Sequence, residues 1–175
     1  MRHGQIRLLL LLALFVAPVF MAWLAYAYGP PVRSGNYGEL LAPAPLQLPP
    51  LAGPVGRVVP WSALRGQWLL LVVAPDGCYA ECARTIHLAR QVRLAQGREQ
   101  SRVARVLIGG RAGMAWPDRQ GAYIAVPAKL PPVLAHGGLY LVDPLGNLML
   151  RYPDAPDGER VIDDLRHLLK AAGTG

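Results

Sequence analysis

Lysine is almost missing: only Lys129 and Lys170 occur among 175 residues, so the net charge of +7 rests on arginine. The basic residues stand singly between Arg33 and Arg166 and never gather into a run of five or six. A nucleic-acid binder carries a clustered basic footprint, and no such footprint is present here. Charge is scarce as well, at 17% against 53% hydrophobic residues. That balance excludes a wholly disordered chain, because so much apolar surface can bury a core. The length excludes a multidomain enzyme and leaves one globular domain with an appendage. Gly109-Gly110-Arg111-Ala112-Gly113 lacks the order of a dinucleotide fingerprint, and there is no P-loop lysine and no serine nucleophile elbow. No repeat is visible at periods of about 20 to 50 residues. Asp163 and Asp164 are neighbours and so point to different helix faces, which suits solvation better than paired catalysis.

What the chain does have begins at its amino terminus. From Ile6 to Gly29 no side chain after Arg7 is ionisable apart from tyrosine, and LLLLLALFVAPVFMAWLAYAYG is long enough to cross a bilayer. About 20 apolar helical residues span a hydrocarbon core of about 30 Å. Arg2 and Arg7 precede the run and hold that end in the cytoplasm, while Trp23, Tyr26 and Tyr28 suit an outer aromatic belt. The alternative is a cleaved signal peptide, since Ala25-Tyr26-Ala27 resembles a cleavage site, although the run exceeds the usual apolar region of about 7 to 15 residues. Either reading exports the remainder of the chain. Between Pro30 and Pro60 lie eight of the 17 prolines, spaced so that neither a helix nor a ladder could run far. This stretch reads as an extended stalk.

Trp68 to Ala74 (WLLLVVA) is a continuous apolar run, the pattern of a strand buried on both faces. Pro75-Asp76-Gly77 ends it, and Tyr79 to Gln96 carries Cys82, Ile86, Ala89 and Val92 at helical spacing. Val103 to Ile108 reads as a second strand, giving a strand-helix-strand unit with a parallel pair. After a loop-like stretch from Gly109 to Gly138, Leu139 to Val142 and Leu148 to Tyr152 flank the turn Asp143 to Asn147 and predict an antiparallel hairpin. Asp157 or Gly158 then opens a helix to about Ala171, with Val161 and Leu165 on one face. The order is βαβ followed by ββα. The predicted organisation is a cytoplasmic tail over 1–5, a transmembrane anchor over 6–29, a proline-rich stalk over 30–56 and an α/β domain over 57–175.

LRGQWLLLVVAPDGCYAEC, from Leu64 to Cys82, resembles the opening of thioredoxin-like domains and in particular the SCO/SenC family of copper chaperones. Those proteins pair one amino-terminal membrane anchor with a C-x-x-x-C motif after the central strand. LYLVDPLGN, from Leu139 to Asn147, resembles their final hairpin. The resemblance spans roughly the last two thirds of the chain. It implies a thioredoxin-like fold on a single-pass inner-membrane anchor, with the domain in the periplasm. It also implies a metallochaperone role with copper, in cytochrome oxidase assembly, with an oxidase subunit or other assembly factors as partners.

Cys78 and Cys82 are the only cysteines, and both lie in the exported part. An oxidising compartment permits a disulfide between them. At the start of a helix both sulfurs gain thiolate character, as nucleophiles or as metal ligands. Two thiolates suit Cu(I), and an imidazole would complete a three-coordinate site. In the SCO family the third ligand is a histidine in the loop before the hairpin, which here corresponds to His136, with a solvated loop histidine as the plainer alternative. His3 falls on the cytoplasmic side, His87 lies about 140° around the helix from Cys82, and His167 suits a polar helix face. The pair equally suits a thiol-disulfide oxidoreductase that keeps the subunit's cysteines reduced, so whether the protein is an enzyme stays open, or a staple in a non-catalytic scaffold. Trp116-Pro117-Asp118 and the loop to Pro132 read as an irregular insertion or a partner-facing surface.

Overall fold

The computed structural model describes residues 3–28, 35–53, 56–109 and 120–172, with the side chains at 6, 8–10 and 25–28 outside the described set. The chain divides into two compact units, Met1–Gly35 and Asn36–Gly175. In the first, α1 (His3–Tyr28) runs through Pro18, and Leu11, Phe15, Phe20 and Trp23 stand exposed along it. Among the described residues no helix is long and apolar enough to cross a membrane.

The second unit is built on β4 (Trp68–Val73), whose six residues are all buried. Branched and leucine side chains on both faces of this strand have to be covered from both sides, which places it in the middle of a sheet. It pairs in parallel with β5 (Val103–Ile108) and antiparallel with β7 (Gly138–Val142). The connection from β4 to β5 is α2 (Ala80–Leu94), and β7 turns into β8 (Asn147–Arg151) as the predicted antiparallel hairpin. Asp143 closes that turn: its carboxylate accepts from the Leu145 and Asn147 amides at 2.9 and 2.7 Å, and Gly146 supplies φ of +91°. After β8 comes α3 (Gly158–Ala171), capped by the Asp157 carboxylate, which accepts from Glu159 N at 2.9 Å. The expected βαβ and ββα order is therefore present.

Both helices cover one face. Leu70 and Val72 of β4 pack there with Ile86, Ala89 and Val92 of α2 and Val161, Leu165 and Leu169 of α3. The opposite face, carrying Leu69, Leu71 and Val73, is closed by Leu46, Leu48, Leu51, Leu64 and Leu134. Three of these leucines come from the segment expected as a stalk. That segment also supplies β1 (Glu39–Pro45), β2 (Leu51–Ala52) and, just beyond it, β3 (Val58–Val59). With β6 (Ala122–Ala125), the described residues give an eight-stranded sheet in the order β1-β8-β7-β4-β5-β6-β2-β3. The domain thus starts near Asn36, about twenty residues earlier than the sequence suggested. The physical reason is coverage: burying each leucine stabilises by about 2 kcal/mol, and Leu46, Leu48 and Leu51 of this segment help to close the second face.

Two further expectations change. The stretch 109–138, read as a loop, contains β6 (Ala122–Ala125), parallel to β5. Asp164, read as solvated, is buried and accepts from the Tyr37 and Gly38 amides at 2.8 and 2.9 Å. It fastens the beginning of the domain to its last helix. Trp116-Pro117-Asp118 and Gly110 to Gly113 lie outside the described residues.

Candidate functional site

At the carboxyl end of β4 the chain must turn before α2. Gly77, with φ of +107°, allows that turn, and its amide donates to Ala74 O at 3.2 Å. Cys78 follows, Tyr79 is the N-cap residue of α2 with no side-chain capping bond, and Cys82 sits in the first helical turn. Cys78 and Cys82 are joined in a disulfide with Cα atoms 5.0 Å apart. Both are half-buried and rest against the helix-covered side of the core. The four-residue spacing thus brings the sulfurs together as expected.

The second wall comes from the loop before β7. Leu134 is fully buried and anchors it, and the Gly137 amide donates to Leu134 O at 3.1 Å. Gly137 and Gly138 have φ of +68° and +97°, and a Cβ on Gly137 would stand 3.0 Å from Pro75 Cδ and 3.2 Å from Val73 O. Only glycine lets this loop press so closely on the β4–α2 turn. The result is a cavity of about 360 Å³ whose walls include Pro75, Asp76, Cys82, Thr85, His136 and Asp154. Cys82 and His136 therefore share one cleft, with His136 itself exposed. Asp76, Glu81 and Asp154 make the lining acidic, with no lysine or arginine among its residues.

His87 and His167 are not among the residues lining this cleft. His87 is exposed and its ring hydrogen-bonds the Gln91 amide at 2.9 Å, in a neighbouring hollow with Arg84, Leu88 and Pro156. His167 is exposed on α3. Sequence reasoning missed Thr85 and Asp154. Asp154 was recoverable in principle, because the antiparallel hairpin returns the end of β8 to the level of the start of β7.

A joined pair offers no thiolate, and among the described residues no three His, Cys, Asp or Glu are gathered closely enough to hold a metal. In this disulfide form Cys78, Cys82 and His136 do not fit a copper ion. What the arrangement can do directly is thiol-disulfide exchange: Cys82, at a strand-turn-helix junction, is one of the residues lining an open cleft, beside a helix N-terminus that favours thiolate.

The family described as transmembrane-like, thioredoxin-like, C-terminal domain matches residues 68–172. Among curated proteins none matches the sequence. Solved structures share the fold at low identity. Apo Sco1 from Thermus thermophilus is 19% identical over 81% of this chain and 99% of its own, with a TM-score of 0.53. A SCO1/SenC family lipoprotein from Bacillus anthracis is 14% identical over 74% and 99%, with a TM-score of 0.52. ScoI from Bradyrhizobium japonicum, solved with copper bound, is 16% identical over 74% and 98%, with a TM-score of 0.50. The expected SCO-like thioredoxin fold is the fold found.

Proposed function

Because this chain belongs to the transmembrane-like, thioredoxin-like C-terminal domain family and has the fold of SCO/SenC proteins, we propose that it is a SCO-like maturation factor working through reversible exchange at Cys78 and Cys82. The observation that carries the reading is the placement of the disulfide, with Cys82 in the wall of an open cleft. Its client is a cytochrome oxidase subunit with a copper centre, as the SCO resemblance implies. Exchange with the subunit's own cysteines would deliver them reduced, which is the state copper requires.

A second reading has its own support in the shared cleft of Cys82 and His136. After reduction, two thiolates and that imidazole form a soft ligand set suited to copper as cargo. In this reading the disulfide is the unloaded state of a metallochaperone.

The reading places the protein in the inner membrane with its domain in the periplasm. Its support is the uninterrupted apolar sequence after Arg7, the 26-residue helix α1 with its exposed leucines and aromatics, and the arginines that precede the run. Oxidase activity in a strain lacking the protein tests the proposal. The full chain restores it, and Cys78→Ser with Cys82→Ser does not. His136→Ala separates the two readings: exchange survives it, while copper delivery falls by tenfold or more, the usual order for loss of a ligand shell member. Full restoration by the double serine variant would leave only the scaffold reading.

A further inference from the structure

The disulfide cleft does not stand alone. A second hollow of about 490 Å³ adjoins it, and the two share Glu81, Thr85 and Asp154 as lining residues. The rest of the hollow is Arg84, His87, Leu88, Gln91, Ala155 and Pro156. Glu81, Thr85, Leu88 and Gln91 follow one another at steps of three or four along α2, so they share one helix face. At 1.5 Å per residue the two cavities together follow that face for about 15 Å. Leu88, Ala155 and Pro156 make part of the hollow apolar, and Leu88 keeps its place because Gly158 lacks a Cβ, which would stand 2.9 Å from Leu88 Cδ1. Along the same hollow His87 and Gln91 are polar and hydrogen-bonded to each other.

Charge selects what fits there. The cleft is lined by Asp76, Glu81 and Asp154 with no lysine or arginine. Arg84, the one cation of the hollow, is held by Glu81 at 2.7 Å, and Arg151 stands 3.7 Å from Asp154, whose side chain is 89% exposed. Asp76 has no ion-pair partner among the described residues. A cationic segment complements this lining and an acidic one is repelled. Resting on the exchange reading above, we propose that the cleft and the hollow form one docking surface for an extended, basic client segment. The client's cysteine lies at the disulfide, a lysine or arginine beside it meets Asp76 and Asp154, and an apolar side chain two residues from the cysteine enters the hollow at Leu88 and Pro156. The spacing agrees with an extended chain. Side chains two apart on a strand point the same way at about 7 Å, and Leu88 lies about 9 Å along α2 from Cys82.

The probes are three pentapeptides, each linked into a dimer through its central cysteine: one with lysines flanking the cysteine and leucines at its ends, one with glutamates for the lysines, and one with glycines for the leucines. Each is mixed with the reduced full chain in detergent, and released peptide thiol is followed by chromatography. Two electrons pass from the protein dithiol to the peptide disulfide, which closes the Cys78–Cys82 bond and frees two peptide thiols. The lysine-leucine peptide should react at least tenfold faster than either of the others. Ala155→Trp, which fills the hollow, should bring the leucine and glycine peptides within twofold of each other. A fourth peptide, with serine for cysteine and a photoreactive benzophenone side chain for one leucine, maps docking without exchange and without a variant. Its cross-links should fall within 84–91 or 154–156. Equal rates for the three disulfide peptides, or cross-links elsewhere, would overturn the docking surface and leave the exchange reading standing. Cross-links at the hollow with no reduction of any peptide would overturn the exchange reading and keep the docking surface.

Discussion

Asp164 shows how a single buried charge can hold two distant parts of a chain together. Its carboxylate accepts from two backbone amides 126 and 127 residues away, so replacing it leaves the buried Gly38 donor and the half-buried Tyr37 donor without that partner. Asp164→Ala should lower the unfolding free energy by about 3 kcal/mol, measured by urea denaturation, whereas the adjacent Asp163→Ala should change it by less than about 0.5 kcal/mol. Tyr152 shows the opposite case. Its hydroxyl is buried and finds no partner among the described residues, and burial, with the Asp164 charge as a smaller cause, pushes its pKa far above the ordinary 10.0. The unfolded phenol ionises near pH 10 while the folded one stays protonated. The stability tied to this group is therefore complete below pH 10 and is lost as pH rises above it, by about 1.4 kcal/mol per unit. Tyr152→Phe should remove that part of the alkaline slope and leave stability at pH 7 within about 1 kcal/mol of the original. Neither residue was legible in the sequence. An aspartate on a helix has no local signal that tells water from a distant pair of amides, and two adjacent aspartates look alike until the helix has a partner.

Elements were legible in proportion to how strongly local pattern determined them. The run WLLLVVA, the helical spacing of Ile86, Ala89 and Val92, the turn Asp143 to Asn147 and the cap Asp157 each point to one local structure, and each is found. β1 was hidden by its prolines. Pro43 and Pro45 are tolerated because β1 lies at the edge of the sheet and pairs only with β8. A proline-rich stretch with leucines at 46, 48 and 51 reads as a linker until the uncovered face of a central strand is counted. The loop before β7 was visible as a place, through His136 and two glycines, but its approach to Pro75 was not. Gly137→Ala would put a Cβ 3.0 Å from Pro75 Cδ on a backbone at φ of +68°. The left-handed conformation alone costs about 1 to 2 kcal/mol, and relief of the contact must move the loop. The expected result is a loss of about 2 kcal/mol in urea denaturation together with slower reduction of oxidised glutathione, because the cleft wall moves with His136.

At the scale of the whole molecule, the sequence and the fold agree on a thioredoxin-like domain with its only two cysteines at the junction of the central strand and first helix. The candidate site was legible as residues but not as a state. Cys78, Cys82 and His136 could all be named from spacing and resemblance, yet only the structure joins the sulfurs and sets Cys82 in the same cleft as His136. A disulfide that closes so short a loop removes little entropy from the unfolded chain, so it adds little as a staple, and its half-exposed position leaves it open to attack. The account therefore depends on this bond being reversible in the folded protein. The most direct measurement is the equilibrium reduction of the full chain, in detergent or membranes, against mixtures of oxidised and reduced dithiothreitol, with free thiols counted while intrinsic fluorescence reports the fold. The account predicts reversible reduction with the fold intact and a potential above about −300 mV, the level below which structural disulfides lie. Reduction that occurs only as the domain unfolds, or a potential well below that level, would contradict it.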